Sequence, residues 1–328
     1  MKLLVTGGYG FIGSNFILKL LEGHEEFKIK NIDAELNGSN SKNLSTIQNH
    51  KNYEFVKGNI TNHNLMEKLI DECDVVVNFA AESFVDRSIN DANPFLSSNI
   101  LGVYTILDII TKQNKKMIQI STDEVFGSIE HGSAKEESRF NPTNPYAATK
   151  ASAELLINSY FATYNSNVII TRCTNNYGPR QFPEKLIPKT ILLADQNKKI
   201  PIYGNGKNIR DWIFVEDHCN AIFNIFTNGK SGESYNISAS NEINNITIVK
   251  KILALMNKSE DLIEFVEDRP GHDFRYSMDS QKINKELNWK TKVNFEEGLK
   301  KTVDWYLLNR DWWKDIIENS LNQTPWKI

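Results

Sequence analysis

The sequence predicts an α/β protein, a doubly wound parallel sheet of Rossmann type with a smaller carboxy-terminal α/β lobe, and three observations carry that reading. Short apolar runs alternate with helical stretches through the first half of the chain. A glycine-rich turn follows the first of those runs directly. Beyond about residue 175 the alternation loosens into glycine and proline punctuation with aromatic clusters, as expected of a lobe shaped around a ligand.

The strand candidates are, in order, Lys2–Thr6, Lys28–Ile32, Tyr53–Val56, Asp74–Phe79, Lys116–Ser121 and Asn167–Arg172. Helical stretches between them make repeated βαβ units, and those build a parallel sheet. The division this suggests is a cofactor domain over residues 1–172 and a substrate lobe over 173–328, with segments allowed to interdigitate. An Asn/Ser-rich patch at Asn37–Ser45 reads as a surface loop. Trp305, Trp312 and Trp313 read as packing anchors for the second lobe.

Composition removes several classes of function. With 40% apolar and 24% charged residues, the chain can bury an ordinary globular core. A formal net charge of -3 provides no basic field for nucleic acid. Cys73, Cys173 and Cys219 are too scattered for a disulfide framework or a close metal-type pair, which fits a reducing cytoplasm. His272 has no second His or Cys at ligand spacing, so no metal is expected. Residues 1–7 run straight into a strand pattern without the long apolar segment of a signal peptide, and no membrane-spanning run is expected elsewhere.

The run Gly7-Gly8-Tyr9-Gly10-Phe11-Ile12-Gly13 sits between the first strand and a helix. Glycines at 7, 10 and 13 allow a tight turn, close approach of backbone to a pyrophosphate, and packing of helix on strand. Asp33 closes the second strand about 20 residues on, where an acidic group accepts from a ribose hydroxyl and repels a 2′-phosphate. The expected cofactor is therefore NAD rather than NADP.

A second constellation lies at the end of the fifth strand, where Thr122, Asp123 and Glu124 are consecutive. Ligands sit at the carboxyl ends of strands in such sheets, so this hydroxyl and these two carboxyls should face the cofactor crevice. Tyr146 and Lys150 are spaced i,i+4 and share one helix face. The ammonium is expected to lower the phenol pKa and help a tyrosinate act as a base.

On these motifs the chain resembles the extended short-chain dehydrogenase/reductases, and within them the dTDP-glucose 4,6-dehydratases. The carriers are the Gly7–Gly13 turn, Ala80–Ile89, Ser121–Gly127, the Tyr146/Lys150 pair, Arg172–Pro179, Phe182–Pro188, Arg210–Trp212 and Asp268–His272. The resemblance implies that Glu124 takes the C5 proton, Asp123 protonates the departing C6 oxygen, Tyr146 removes the C4 hydroxyl proton and Thr122 bonds the C4 oxygen. It places Phe11, Ile12, Asn59, Ile60, Ala80, Ala81, Ser83, Ser98 and Asn176 around NAD. It places Phe84, Asn175, Lys185, Leu186, Pro201, Ile202, Tyr203, Arg210 and Asn245 around the nucleotide sugar, together with Asp268, Arg269, Pro270, Gly271 and His272. It also implies a homodimer paired through Phe95–Lys112 and Tyr146–Tyr164.

The sequence departs from that pattern at three places. Phe84 stands where the family usually carries a histidine, Asn59 replaces the usual aspartate near adenine, and Ala34-Glu35-Leu36 differs from the usual ribose loop. A 4-epimerase or decarboxylase of the same fold would use Tyr146 and NAD but has no task for both Asp123 and Glu124. A catalytically silent sensor would lack one of the pairs. Between nucleobases, dTDP-glucose is the expected substrate and UDP-glucose the alternative.

Overall fold

The computed structural model describes residues 1–316. Its first half runs β1 (Lys2–Thr6), α1 (Phe11–Gly23), β2 (Lys28–Asp33), β3 (Tyr53–Lys57), α2 (His63–Asp71), β4 (Val75–Asn78), α3 (Val85–Asn90), α4 (Asn93–Lys112), β5 (Lys116–Thr122), α5 (Pro145–Tyr164) and β6 (Val168–Cys173). The second half adds β7 (Asn175–Tyr177), α6 (Leu186–Asp195), β8 (Ile200–Tyr203), β9 (Ile209–Phe214), α7 (Val215–Asn228), β10 (Ser234–Ile237), β11 (Glu242–Asn244), α8 (Asn245–Leu255), β12 (Ile263–Val266), α9 (Gln281–Leu287) and α10 (Phe295–Leu308).

Seven strands form one sheet in the order β10-β6-β5-β4-β1-β2-β3, with every neighbouring pair parallel. Strands covered on both faces should be apolar along their whole length, and all of Val75–Asn78 and Val168–Cys173 is buried. Phe16, Ile17 and Leu20 of α1 join Ile222 and Ile225 of α7 over one face. Met66 and Leu69 of α2, Ile106 and Ile110 of α4 and Ile157 of α5 cover the other. Strand order reverses between β1 and β4, so a crevice opens there at the carboxyl ends. The seventh strand, β10, lies well past residue 172, so the two halves of the chain interleave in this sheet.

Two expectations need correction. Part of the presumed loop Asn37–Ser45 is a short 3-10 turn at Ser41–Ile47, capped by Asn40, whose side chain accepts from the Lys42 N–H. It is anchored inward because Asn43 is buried, donating to the Tyr9 carbonyl at 2.8 Å and accepting from the Trp312 indole at 2.7 Å. The second correction concerns α4, which is long and apolar enough by length and composition to cross a membrane. Half of it is buried in the fold, and within it Leu96–Gly102 is wound as a π-turn.

The second lobe carries a three-stranded sheet, β11-β9-β7, and the pair β12-β8. Its core gathers Tyr177, Trp212, Phe214, Leu299 and Tyr306. Trp312 and Trp313 are buried in that core and Trp305 packs against it, as expected of anchors.

Candidate active site

The site forms where β5 and α5 meet. Thr122 ends β5 in an extended conformation, and its hydroxyl accepts from the Glu124 N–H at 3.3 Å, capping the short turn Asp123–Phe126. Thr122 thus does the capping, which leaves both carboxyls that follow it available to a ligand. Across from it, Asn144 caps α5 by accepting from the Ala147 N–H at 2.9 Å, and Pro145 fills the first helical position, where no N–H is needed. This start fixes Tyr146 in the first turn and Lys150 one turn later, both buried. The Tyr146 ring packs edge-on against Phe95, and its N–H donates to the Ser88 hydroxyl at 3.2 Å.

Electrostatics separate the two carboxyls. Asp123 is buried, accepts from the Thr122 hydroxyl at 3.1 Å through Oδ1, and has no partner for Oδ2. Burial first, and the charge of Glu124 second, push its carboxyl well above the usual range, which favours the protonated form. Glu124 is only half-buried; its Oε2 lies 3.3 Å from the Tyr276 hydroxyl and accepts from Asn144 Nδ2 at 3.4 Å. Tyr276 in turn lies against the Arg210 guanidinium, 4.1 Å from ring centre to Cζ.

The Tyr146/Lys150 pair differs from the sequence expectation. Burial and the Glu124 charge push the Tyr146 phenol well above its ordinary value, and a hydrogen bond with Thr122 pulls only weakly against them. Lys150 donates from Nζ to the Ile120 carbonyl at 2.6 Å, and burial draws its ammonium down to about 8. Desolvation of both groups outweighs their proximity.

At the switch point, Gly7 has a φ of +70°, and a Cβ there would stand 2.7 Å from the Ala80 nitrogen. A Cβ on Gly13 would stand 2.6 Å from the Gly7 carbonyl oxygen. The turn therefore leaves a bare backbone cradle at the amino end of α1, which fits a pyrophosphate. Asp33 is buried at the end of β2 and accepts from the N–H groups of Tyr9 at 2.9 Å and Glu35 at 2.8 Å. Asn59 accepts from the N–H and hydroxyl of Thr61, both at 3.0 Å.

Every residue assigned from sequence to the cofactor lines one cavity of about 280 Å³, and so do Thr122, Asp123 and Glu124. A second cavity of about 160 Å³ is lined by Leu186, Pro201, Ile202, Tyr203, Arg210, Asn245, Arg269 and His272. Phe84, Glu124, Asn175 and Lys185 line both, so the two cavities meet at the carboxylate. Asp268, Pro270 and Gly271 line neither. Asp268 instead holds His272 Nδ1 at 2.6 Å and so shapes the turn from behind.

In the second cavity, Arg269 pairs with Asp86 at 2.8 Å. Arg210 spends part of its fork on backbone, donating to the carbonyls of Asp273 at 2.9 Å and Ile209 at 2.8 Å. Phe84 meets Phe182 edge-on at 5.6 Å, with the Lys185 ammonium 4.7 Å from its ring centre. Lys185 also donates to the Ser83 carbonyl at 2.8 Å. Sequence reasoning missed Glu82, Asp86, Phe182 and Tyr276 as lining residues. The first three stand inside quoted motifs and were within reach, whereas Tyr276 meets Glu124 across 152 residues without a local signal.

A parallel nucleotide-binding sheet with a Tyr/Lys pair on the helix beside β5 defines an extended short-chain dehydrogenase/reductase. The chain belongs to the GDP-mannose 4,6 dehydratase family, whose model matches residues 4–302. It is 47% identical to a low-salt glycan biosynthesis protein of Haloferax volcanii, over 94% of this chain and 99% of that one. It is 41% identical to a dTDP-glucose 4,6-dehydratase of Streptomyces niveus, over 96% of both chains. Among solved structures it superposes on the dTDP-glucose 4,6-dehydratase of Bacillus anthracis in complex with NAD, with a TM-score of 0.91 and 46% identity, covering 96% of this chain and 99% of that one.

Proposed function

We propose that the chain is an NAD-dependent hydro-lyase that converts dTDP-glucose to its 4-keto-6-deoxy form. The observation that carries this reading is the pair Asp123 and Glu124 at the meeting of the two cavities, one carboxyl buried and pushed up toward its protonated form, the other reached by donors at its mouth. Oxidising C4 to a ketone acidifies the C5 proton, and the C6 hydroxyl leaves only if its oxygen is protonated. Two carboxyls in unlike environments meet those two demands. Glu124 takes the C5 proton while Asp123 gives its proton to the C6 oxygen. Tyr146 takes the C4 hydroxyl proton, and Thr122 holds that oxygen.

When bound, NAD supplies the acceptor that keeps the C4 hydride and returns it to C6, along with a positive ring charge that favours the Tyr146 tyrosinate. The cradle at Gly7 and Gly13, the buried Asp33 and Lys150 are the residues that would hold it. Asn176 is buried at the same wall, with Oδ1 2.8 Å from His218 Nδ1. In the second cavity Arg269, Arg210 and Lys185 supply cations for the diphosphate. Phe84 replaces a polar contact with an apolar wall beside the hexose.

The test offers dTDP-, UDP-, GDP- and CDP-glucose without added reductant and follows product mass. Loss of one water from dTDP-glucose, with no net build-up of reduced cofactor, is the expected outcome. An epimer of unchanged mass would overturn the reading.

The pairing through α4 and α5 is likewise proposed. Leu96, Leu101 and Tyr104 on α4 are 48%, 50% and 43% exposed, and Leu155 and Tyr164 on α5 are 60% and 61% exposed. Five large apolar side chains on two adjacent helices suit a self-complementary face. Light scattering should give a dimer, and Leu155→Arg should shift it toward monomer; a monomeric parent chain would end the proposal. Three unpaired, buried cysteines suit the cytoplasm as the place of action.

A further inference from the structure

Behind the Tyr146/Lys150 pair lies a buried ion pair that the reaction as described does not use. Glu154 follows Lys150 by one helical turn on α5 and is fully buried. Arg172 of β6 grips it with two nitrogens, Nη2 at 2.7 Å and Nε at 2.9 Å to Oε2, and Ser121 of β5 donates to its Oε1 at 2.5 Å. Arg172 is itself fixed, donating to the Glu136 carbonyl at 3.1 Å and lying 5.0 Å from the Phe126 ring centre.

The register is orderly. Tyr146, Lys150 and Glu154 are spaced i, i+4, i+8 along one face of α5, and each meets the end of β5: Tyr146 at Thr122, Lys150 at Ile120 and Glu154 at Ser121. Ser121 and Arg172 are also register partners across β5 and β6. The Glu154 carboxylate is held by Arg172 and Ser121 one helical turn from an amine deprived of solvent, where its charge acts on the amine through space.

We propose that Glu154, locked by Arg172 and Ser121, is a positioning residue that keeps Lys150 in its ammonium form through the working pH range. A buried ion pair contributes little to stability for its cost, so its place beside an active lysine calls for another role. Burial draws the Lys150 ammonium down to about 8 even with Glu154 beside it, and Glu154 is the largest influence acting in the opposite direction.

The other groups around Lys150 do not replace it. Cys173 on β6 keeps its proton, since burial pushes its thiol up to about 12. Burial shifts Asp123 toward its neutral form, and does the same for Tyr146 until bound NAD favours its tyrosinate. Glu124, at the end of the same turn, faces Tyr276 and Asn144. The π-turn 96–102 packed on α5 has no titratable side chain. On α3, Asp86 is paired with Arg269 and Arg87 with Glu184.

The inference rests on the assignment of Tyr146 and Lys150 to proton transfer, but its test reads Lys150 directly, so the two can fail separately. Titrate the ¹³Cε signal of Lys150 in the NAD-loaded protein, assigned by its loss in Lys150→Arg, and record the pH profile of the first turnover. Glu154→Gln should lower the Lys150 midpoint by about one to three pH units and move the alkaline limb of the profile to lower pH by the same amount. Glu154→Asp should restore most of the shift. Because Glu154→Gln leaves Arg172 unpaired, the double variant Glu154→Gln/Arg172→Met serves as the folding-safe version and should show a shift of the same sign. An unmoved midpoint in a folded variant, even one with lowered stability, overturns the proposal and leaves the pair a structural anchor.

Discussion

Tyr146→Phe lowers the rate of the first hydride transfer by about 10²–10⁴-fold while leaving the protein folded and able to hold NAD. The ring packs against Phe95 and Val85, and phenylalanine keeps that contact. What disappears is the hydroxyl that meets Thr122 at the carboxyl end of β5, and with it the base for the C4 hydroxyl. Stopped-flow absorbance of reduced nicotinamide after mixing with dTDP-glucose checks this. Parent-like appearance of that signal would remove Tyr146 from the role.

Glu124→Gln produces a different defect. The first oxidation proceeds and reduced cofactor accumulates, but release of the 4-keto-6-deoxy product falls by about 10²–10⁴-fold, because the C5 proton has no acceptor. The amide is close in shape to the carboxyl it replaces and can still meet Asn144 and Tyr276, which both approach Oε2 in the parent. A fold-level cause is thereby separated from a chemical one. Rapid-quench mass analysis alongside the absorbance trace is the check, and full product turnover would exclude Glu124 as the base. Together the two variants place the phenol before the carboxylate in the order of events.

Much of this site was legible in the sequence, for physical reasons. The strands Lys2–Thr6 and Lys116–Ser121 are short apolar runs with turn chemistry at both ends, and the structure places them within a residue of the expected bounds. The glycine turn could be read because backbone approach to a phosphate needs glycine at fixed positions. The i,i+4 spacing of Tyr146 and Lys150 was equally local. Their protonation behaviour was not, because it depends on how deeply two different elements bury them. Tyr276 and the Arg172–Glu154 pair were illegible for a similar reason, since their contacts join positions distant in sequence and no periodicity announces them. The apolar character of α4 was misjudged because its core-facing and outward-facing residues are both large and greasy.

The edge strand β10 has a consequence for how the molecule is made. By the time residue 173 has left the ribosome, six parallel strands are available, yet one margin of the sheet still shows bare amide and carbonyl groups, and the cover from α7 is missing over one face. Some sixty further residues must emerge before that margin closes at Ile237. Until then the nascent half-molecule carries an unpaired strand margin and an uncovered sheet face, surfaces of the kind that invite association.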